Sequence, residues 1–137
     1  MTLSGSLFPL ALSPFIHYPM AMDIYGIKTC DTCRKARKWL DEAGVKYRWH
    51  DLREEAPDAD TVRRWLDVVG VDKLINRRST TWRGLDDTER ARAATPDGAL
   101  PLLLEFPTLA KRPIIDTGNT VLVGFTDQTG TTLLELP

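Results

Sequence analysis

The chain has 137 residues, enough for one domain with its own core and short for two. At 42% hydrophobic and 27% charged, with no apolar run of membrane-spanning length, it has the composition of a globular protein, and a helical membrane span is excluded. Its 18 basic and 19 acidic side chains nearly cancel, so it lacks the broad basic field of a nonspecific nucleic-acid binder, which argues against direct nucleic-acid contact.

The first twenty residues, MTLSGSLFPLALSPFIHYPM, contain no Lys or Arg, and Pro9 and Pro14 break their short apolar stretch. A secretory signal wants a basic start and a longer apolar segment, so residues 1–21 read as a disordered or non-native leader, with Met20 or Met22 as an alternative start. A single domain is expected over 22–137.

Next comes AMDIYGI (21–27), short and carrying β-branched and aromatic residues, which predicts a strand. From Asp31, Ala36, Trp39, Leu40 and Ala43 recur at helical spacing, and Gly44 supplies a stop. VKYRWHDL (45–52) alternates as a second strand and REEAPDAD (53–60) is an acidic loop. ADTVRRWLDVVG (59–70) predicts an amphipathic helix burying Val62, Trp65, Leu66 and Val69, with Gly70 at its end. Two further helical pieces are expected over 86–94 and 97–106. RPIID (112–116) and TVLVGF (120–125) read as a hairpin joined by the turn TGN. TDQTGTTLLEL (126–136) is ambiguous between helix and strand, because Gly130 interrupts it. The sum is an α/β domain with a βαβ start, a helical insertion over about 60–106 and a late hairpin.

Cys30 and Cys33 are the only cysteines, too few for a disulfide-stapled secreted framework, so a reducing cytoplasm fits best. A helix start gathers unpaired N–H groups and roughly half a positive charge, both favouring an anion at the cap, where Cys30 falls. Its thiolate is expected to form below the ordinary pKa of about 8.5, helped weakly by Lys28 and Arg34. Cys33, one turn further in, is expected to be more buried and suited to resolve a mixed disulfide formed on Cys30. A zinc site would need four ligands, and the chain adds only His17 and His50, at no finger-like spacing, with His50 read as a solvent-facing strand residue. No metal site is expected.

RKARK (34–38) reads as a solvated helix face or as an electropositive rim around the thiolate. Arg112, before Pro113, is more specific: an X-Pro bond at the start of a strand is a candidate cis peptide, and an arginine fixed there can aim its planar fork at an oxyanion or carboxylate. Arg77 and Arg78 in INRRSTTW are candidates for a second anion contact.

YGIKTCDTCRKARKWLDEAGVKY, NRRSTTWRGLD, KRPII and VLVGF together resemble the ArsC/Spx family of arsenate reductase-related proteins, from Met22 to the end of the chain. STTWRGLD and LVGF look most like its YffB-type branch. The resemblance implies a thioredoxin-like mixed sheet flanked by helices. It puts Cys30 in the catalytic cysteine's place and Arg112 in that of the arginine preceding the cis-proline, here Pro113. Of the other oxyanion-binding arginines of arsenate reductases, one aligns with Asn76, with Arg77 and Arg78 close behind, and one with Gly124. The implied activity is that of a thiol-disulfide oxidoreductase, linked to glutathione as co-substrate and to glutaredoxin as a partner, with no bound cofactor. The CxxC pair and Gly70 also resemble the Spx regulators, which implies, as an alternative, a redox sensor binding the RNA polymerase α subunit. Arsenate reduction proper is the second alternative.

Overall fold

The computed structural model describes residues 22–135, so the expected leader over 1–21 lies outside the described residues. Four short strands form one mixed sheet: β1 (Asp23–Gly26), β2 (Arg48–Asp51), β3 (Ile114–Asp116) and β4 (Val121–Val123), in the order β2-β1-β3-β4. β1 and β2 run parallel, joined through helix α1 (Asp31–Glu42), as a parallel pair requires a crossover. β3 runs antiparallel to β1 and to β4, so the late hairpin docks onto the free edge of β1.

Strand alternation divides the core. Ile24 opposite Ile115 faces α1 and the final helix α7 (Asp127–Glu135), in a cluster with Ala36, Leu40, Phe125 and Leu133. Tyr25 opposite Ile114 faces the other layer, where α2 (Ala59–Val69) and α6 (Pro96–Glu105) place Val62, Trp65, Leu66, Leu102 and Leu103. The expected mixed sheet with flanking helices, and a helical insertion between the βαβ start and the hairpin, is the architecture observed.

The helix boundaries follow from capping chemistry. α1 starts at Cys30 and ends beside Gly44. Asp58 caps α2 by accepting from the Thr61 N–H at 2.8 Å, and Gly70 closes it. Between α2 and α6 lie α3 (Val71–Leu74) and α4 (Thr80–Arg83), two single turns that periodicity does not reveal, and α5 (Asp87–Ala91), opened by a reciprocal Asp86/Glu89 capping box. The ambiguous closing segment is helical: Gly130 does not interrupt α7 but seats it against α1, where a side chain would meet the Trp39 ring.

A buried carboxylate ties α2 to the hairpin. Asp116 accepts both guanidinium nitrogens of Arg64, the Trp65 indole N–H at 3.1 Å and the Gly118 N–H at 2.9 Å. His50 is not simply solvent-facing: its ring stacks on Tyr25 at 4.4 Å and lies between Asp23, 2.8 Å away, and Glu55. The β1–β2 pairing brings Asp23 beside it in space.

Candidate active site

The parallel register places Gly26 beside Asp51, so β1 and β2 end together and the loop carrying Cys30 leaves β1 over the end of β2. Asp51, itself buried, accepts the Lys28 N–H at 2.9 Å and the Arg53 N–H at 2.8 Å. Burial opposes its charge, yet these two N–H groups hold its carboxyl below the usual range. The Cys30 N–H then bonds the Ile27 carbonyl at 3.0 Å and turns the chain into α1. Cys30 is an extended cap residue whose side chain caps nothing, which leaves its sulfur free for chemistry.

Both cysteines are free thiols in unlike surroundings. Partial burial works against ionising Cys30. The Cys33 and Thr32 N–H groups, the Cys33 thiol and the Arg112 side chain favour the thiolate, and the net effect is a pKa below that of an ordinary thiol. Cys33 is 1% exposed, and burial, with a neighbouring Cys30 sulfur, pushes its thiol up to about 12. One sulfur thereby ionises more readily than an ordinary thiol, and the other stays protonated beside it. Gly26 makes this possible: a Cβ there would lie 2.4 Å from Cys33 Sγ and 2.9 Å from the Trp49 ring.

Arg112 precedes Pro113 across a cis peptide bond, as expected. Its Nη1 donates to the Thr108 carbonyl at 2.8 Å, and its buried Nε has no partner among the described residues. Arg112 also lines a cavity of about 560 Å³ with Ile27, Arg53, Arg78, Arg83 and Thr108. Arg78 is thus brought to the site. Asn76 positions it, accepting the Arg78 N–H at 2.9 Å on its own side chain.

Two expected binding residues are not brought there. Arg77 turns away, pairing with Asp72 at 3.3 Å and lying over the Trp82 ring. Arg34 points outward and pairs with Asp31 at 3.1 Å, a neighbour one turn away on the same helix. Lys28 likewise pairs with Glu54 at 2.8 Å. The Cys30 thiolate is favoured by backbone N–H groups, Cys33 and Arg112, and the RKARK run forms no rim: Lys35 reaches Asp127 and Arg37 lies over Trp49. Among the described residues no cluster of three or more His, Cys, Asp or Glu side chains is arranged to hold a metal ion.

Sequence reasoning missed Gly26, Asp51, Arg53 and Arg83. Asp51 and Arg53 meet Lys28 and Thr29 of the cysteine loop only through the β1–β2 register, which no local pattern reveals. Gly26, immediately before the cysteine loop, carried a readable signal: a glycine inside a strand marks a close approach.

The profile of the ArsC family matches residues 25–132, a span that takes in the cysteine loop, Arg112 and the hairpin. The chain belongs to the ArsC family. Among solved ArsC-like structures, the YffB protein is 39% identical, with a TM-score of 0.76 over 81% of this chain and 96% of its own. An arsenate reductase (ArsC) related protein from Brucella melitensis is 37% identical, with a TM-score of 0.64 over 86% of this chain and 98% of its own. The global transcriptional regulator Spx 1 of Lactococcus lactis is 30% identical over 109 residues, 77% of this chain and 83% of that relative. These relationships give the thioredoxin-like fold and place the chain among proteins related both to arsenate reductases and to Spx regulators. Where the resemblance aligns Gly124 with an arginine of arsenate reductases, the backbone of this chain favours glycine. Gly124 sits at φ +83°, bonding the Pro113 carbonyl at 2.8 Å through its N–H, and an arginine would be strained there.

Proposed function

We propose that this ArsC-family protein is a thiol-disulfide oxidoreductase of the cytoplasm that draws its electrons from glutathione, with Cys30 as the nucleophile. The observation that carries this reading is the half-buried Cys30 sulfur at the start of α1, its thiolate favoured by the Thr32 and Cys33 N–H groups, the Cys33 thiol and the Arg112 side chain. The thiolate attacks one sulfur of a disulfide, the S–S bond breaks, and one half leaves as a thiolate that takes a proton from water. Cys33, giving up its proton, then attacks the Cys30 sulfur and expels the second half. Two glutathione thiols reduce the resulting Cys30–Cys33 disulfide, directly or through a glutaredoxin, and become glutathione disulfide.

The test is glutathione-dependent reduction of 2-hydroxyethyl disulfide, coupled to NADPH oxidation through glutathione reductase. Turnover that vanishes in Cys30→Ser supports the reading. A wild-type protein that adds nothing to the uncatalysed rate contradicts it. Arsenate in the same assay, supplemented with glutaredoxin, is expected to give little turnover, because Asn76 and Gly124 stand where arsenate reductases have arginines, leaving fewer charge-assisted contacts for a dianion.

A second reading rests on the likeness to Spx 1, joined to two thiols whose disulfide would alter the surface at the start of α1. It makes the protein a redox-sensing regulator docking on the polymerase α subunit. A pull-down with that subunit's C-terminal domain, done reduced and oxidised, separates the two. Binding in one state alone favours regulation, and binding in neither removes it.

A further inference from the structure

The twelve arginines of the chain sort into three groups. Arg34, Arg48, Arg63, Arg64, Arg77 and Arg92 each form an ion pair with a carboxylate. Arg37 and Arg90 form none among the described residues but lie over the Trp49 and Trp82 rings, whereas Arg53, Arg78, Arg83 and Arg112, equally without a carboxylate, together line one cavity, and Arg112 also favours the Cys30 thiolate. Their own contacts are to neutral oxygens: Arg53 to the Thr29 hydroxyl at 3.4 Å, Arg83 to the Arg78 carbonyl at 2.7 Å, Arg112 to the Thr108 carbonyl at 2.8 Å. No carboxylate and no aromatic ring lines the cavity, whose remaining walls include Ser79 and the Thr80 and Thr81 side chains. In a chain of net charge −1, four unpaired guanidinium groups around some 560 Å³ are a strong local excess.

A single thiolate occupies only one of them, and a small tetrahedral oxyanion would leave much of the volume empty. What compensates four forks in a space of this size is an extended molecule bearing several acidic groups, bound by bidentate contacts. We propose that Arg53, Arg78 and Arg83 form a polyanion subsite selecting disulfides whose non-reacting portion carries two or more charges on carboxylate or phosphate groups, while Arg112 serves the reacting sulfur. This rests on the thiol-exchange reading above and adds to it the substrate's class. The selected half is the one that stays on Cys30: the thiolate attacks the near sulfur, the far half departs with the electron pair of the broken S–S bond, and the anionic half is held as the mixed disulfide until Cys33 displaces it. A cavity without a carboxylate also has nothing to receive an ammonium group, so a thiol bearing an amine is served less well than one bearing acids alone.

The test measures the bimolecular rate of mixed-disulfide formation on Cys30 in the full chain carrying Cys33→Ser. Four probes are used: 4′-phosphopantetheine disulfide, glutathione disulfide, neutral 2-hydroxyethyl disulfide and cationic cystamine, each rate divided by that of a free small thiol with the same probe. The expected order is anionic over neutral over cationic, compressed by raising the salt from 0.05 to about 0.5 M, which shortens the screening length severalfold. Arg53→Gln, Arg78→Gln and Arg83→Gln are each expected to lower the anionic-to-neutral ratio by about three- to tenfold, the loss of one charge-assisted contact. Arg63→Gln removes an equal charge at a surface ion pair with Asp97 and leaves the ratio in place. The glutathione and phosphopantetheine arms tell carboxylate from phosphate recognition. Equal normalised rates for all four probes, or a ratio untouched by the three substitutions, overturn the subsite alone. A Cys30 that exchanges with none of the probes overturns the parent reading and the subsite together.

Discussion

Cys30 and Cys33 are one turn apart and chemically opposed, and the opposition is what each residue's surroundings impose. The Cys33 thiol is among the groups that favour the Cys30 thiolate, so removing it is expected to destabilise that thiolate. Cys33→Ala is therefore expected to raise the Cys30 pKa, and Cys33→Ser, which keeps a hydroxyl donor, to raise it less, as read from the pH dependence of alkylation. Arg112→Met should raise it too, and slow mixed-disulfide formation about tenfold or more through the lost charge-assisted contact. Cys33 also links pH to stability. Its folded pKa lies above its unfolded value, so the stabilisation is complete below about pH 8.5 and is lost as pH climbs from there towards the folded value. Urea midpoints of the wild type should fall across that alkaline window more steeply than those of Cys33→Ala.

Between elements, two buried carboxylates do different work. Asp116 joins β3 to α2 through Arg64 and Trp65 and is remote in sequence from both. Asp116→Ala strips the buried Trp65 indole N–H of its acceptor and leaves Arg64 unpaired, and is expected to cost about 3 kcal/mol in urea unfolding, toward the low end for a broken buried pair because Arg64 still reaches solvent. Asp51 instead holds the loop after β1 through the Lys28 N–H. Asp51→Ala should lower the Cys30 alkylation rate at pH 7 well beyond any change explained by unfolding. Far-UV circular dichroism on the same sample checks that the fold persists. A wild-type rate in that variant would show that the loop needs no support from β2.

Across the whole molecule, the sequence was readable wherever a local rule decides the outcome. Helical spacing from Asp31 to Ala43 and along 59–70, the Gly44 and Gly70 stops and the RP dipeptide each translate directly into the observed α1, α2 and cis-proline turn. The closing helix was not decidable, because a glycine costs a helix about 1 kcal/mol in isolation and only the close approach to Trp39 explains why position 130 carries it. Arg34 and Arg77 looked equivalent to Arg78 as unpaired cations, yet Arg34 is neutralised by Asp31, a helix neighbour three residues away that a spacing test finds, and Arg77 by Asp72, five residues away across the turn after α3, which no helix spacing reveals. Arg53 and Arg83 were beyond reach until strand order and the α4 turn set them around one cavity. The family resemblance carried the fold and the two central residues, and register carried the rest.

The account stands on an ionised sulfur at position 30, and the direct measurement is the rate of iodoacetamide alkylation of Cys30 against pH in the wild-type chain, with the modified residue identified by peptide mass. A thiolate titrating below the ordinary thiol value of about 8.5, with Cys33 left unmodified, is the predicted result. A midpoint at or above that value, or alkylation of Cys33 at a comparable rate, would contradict it.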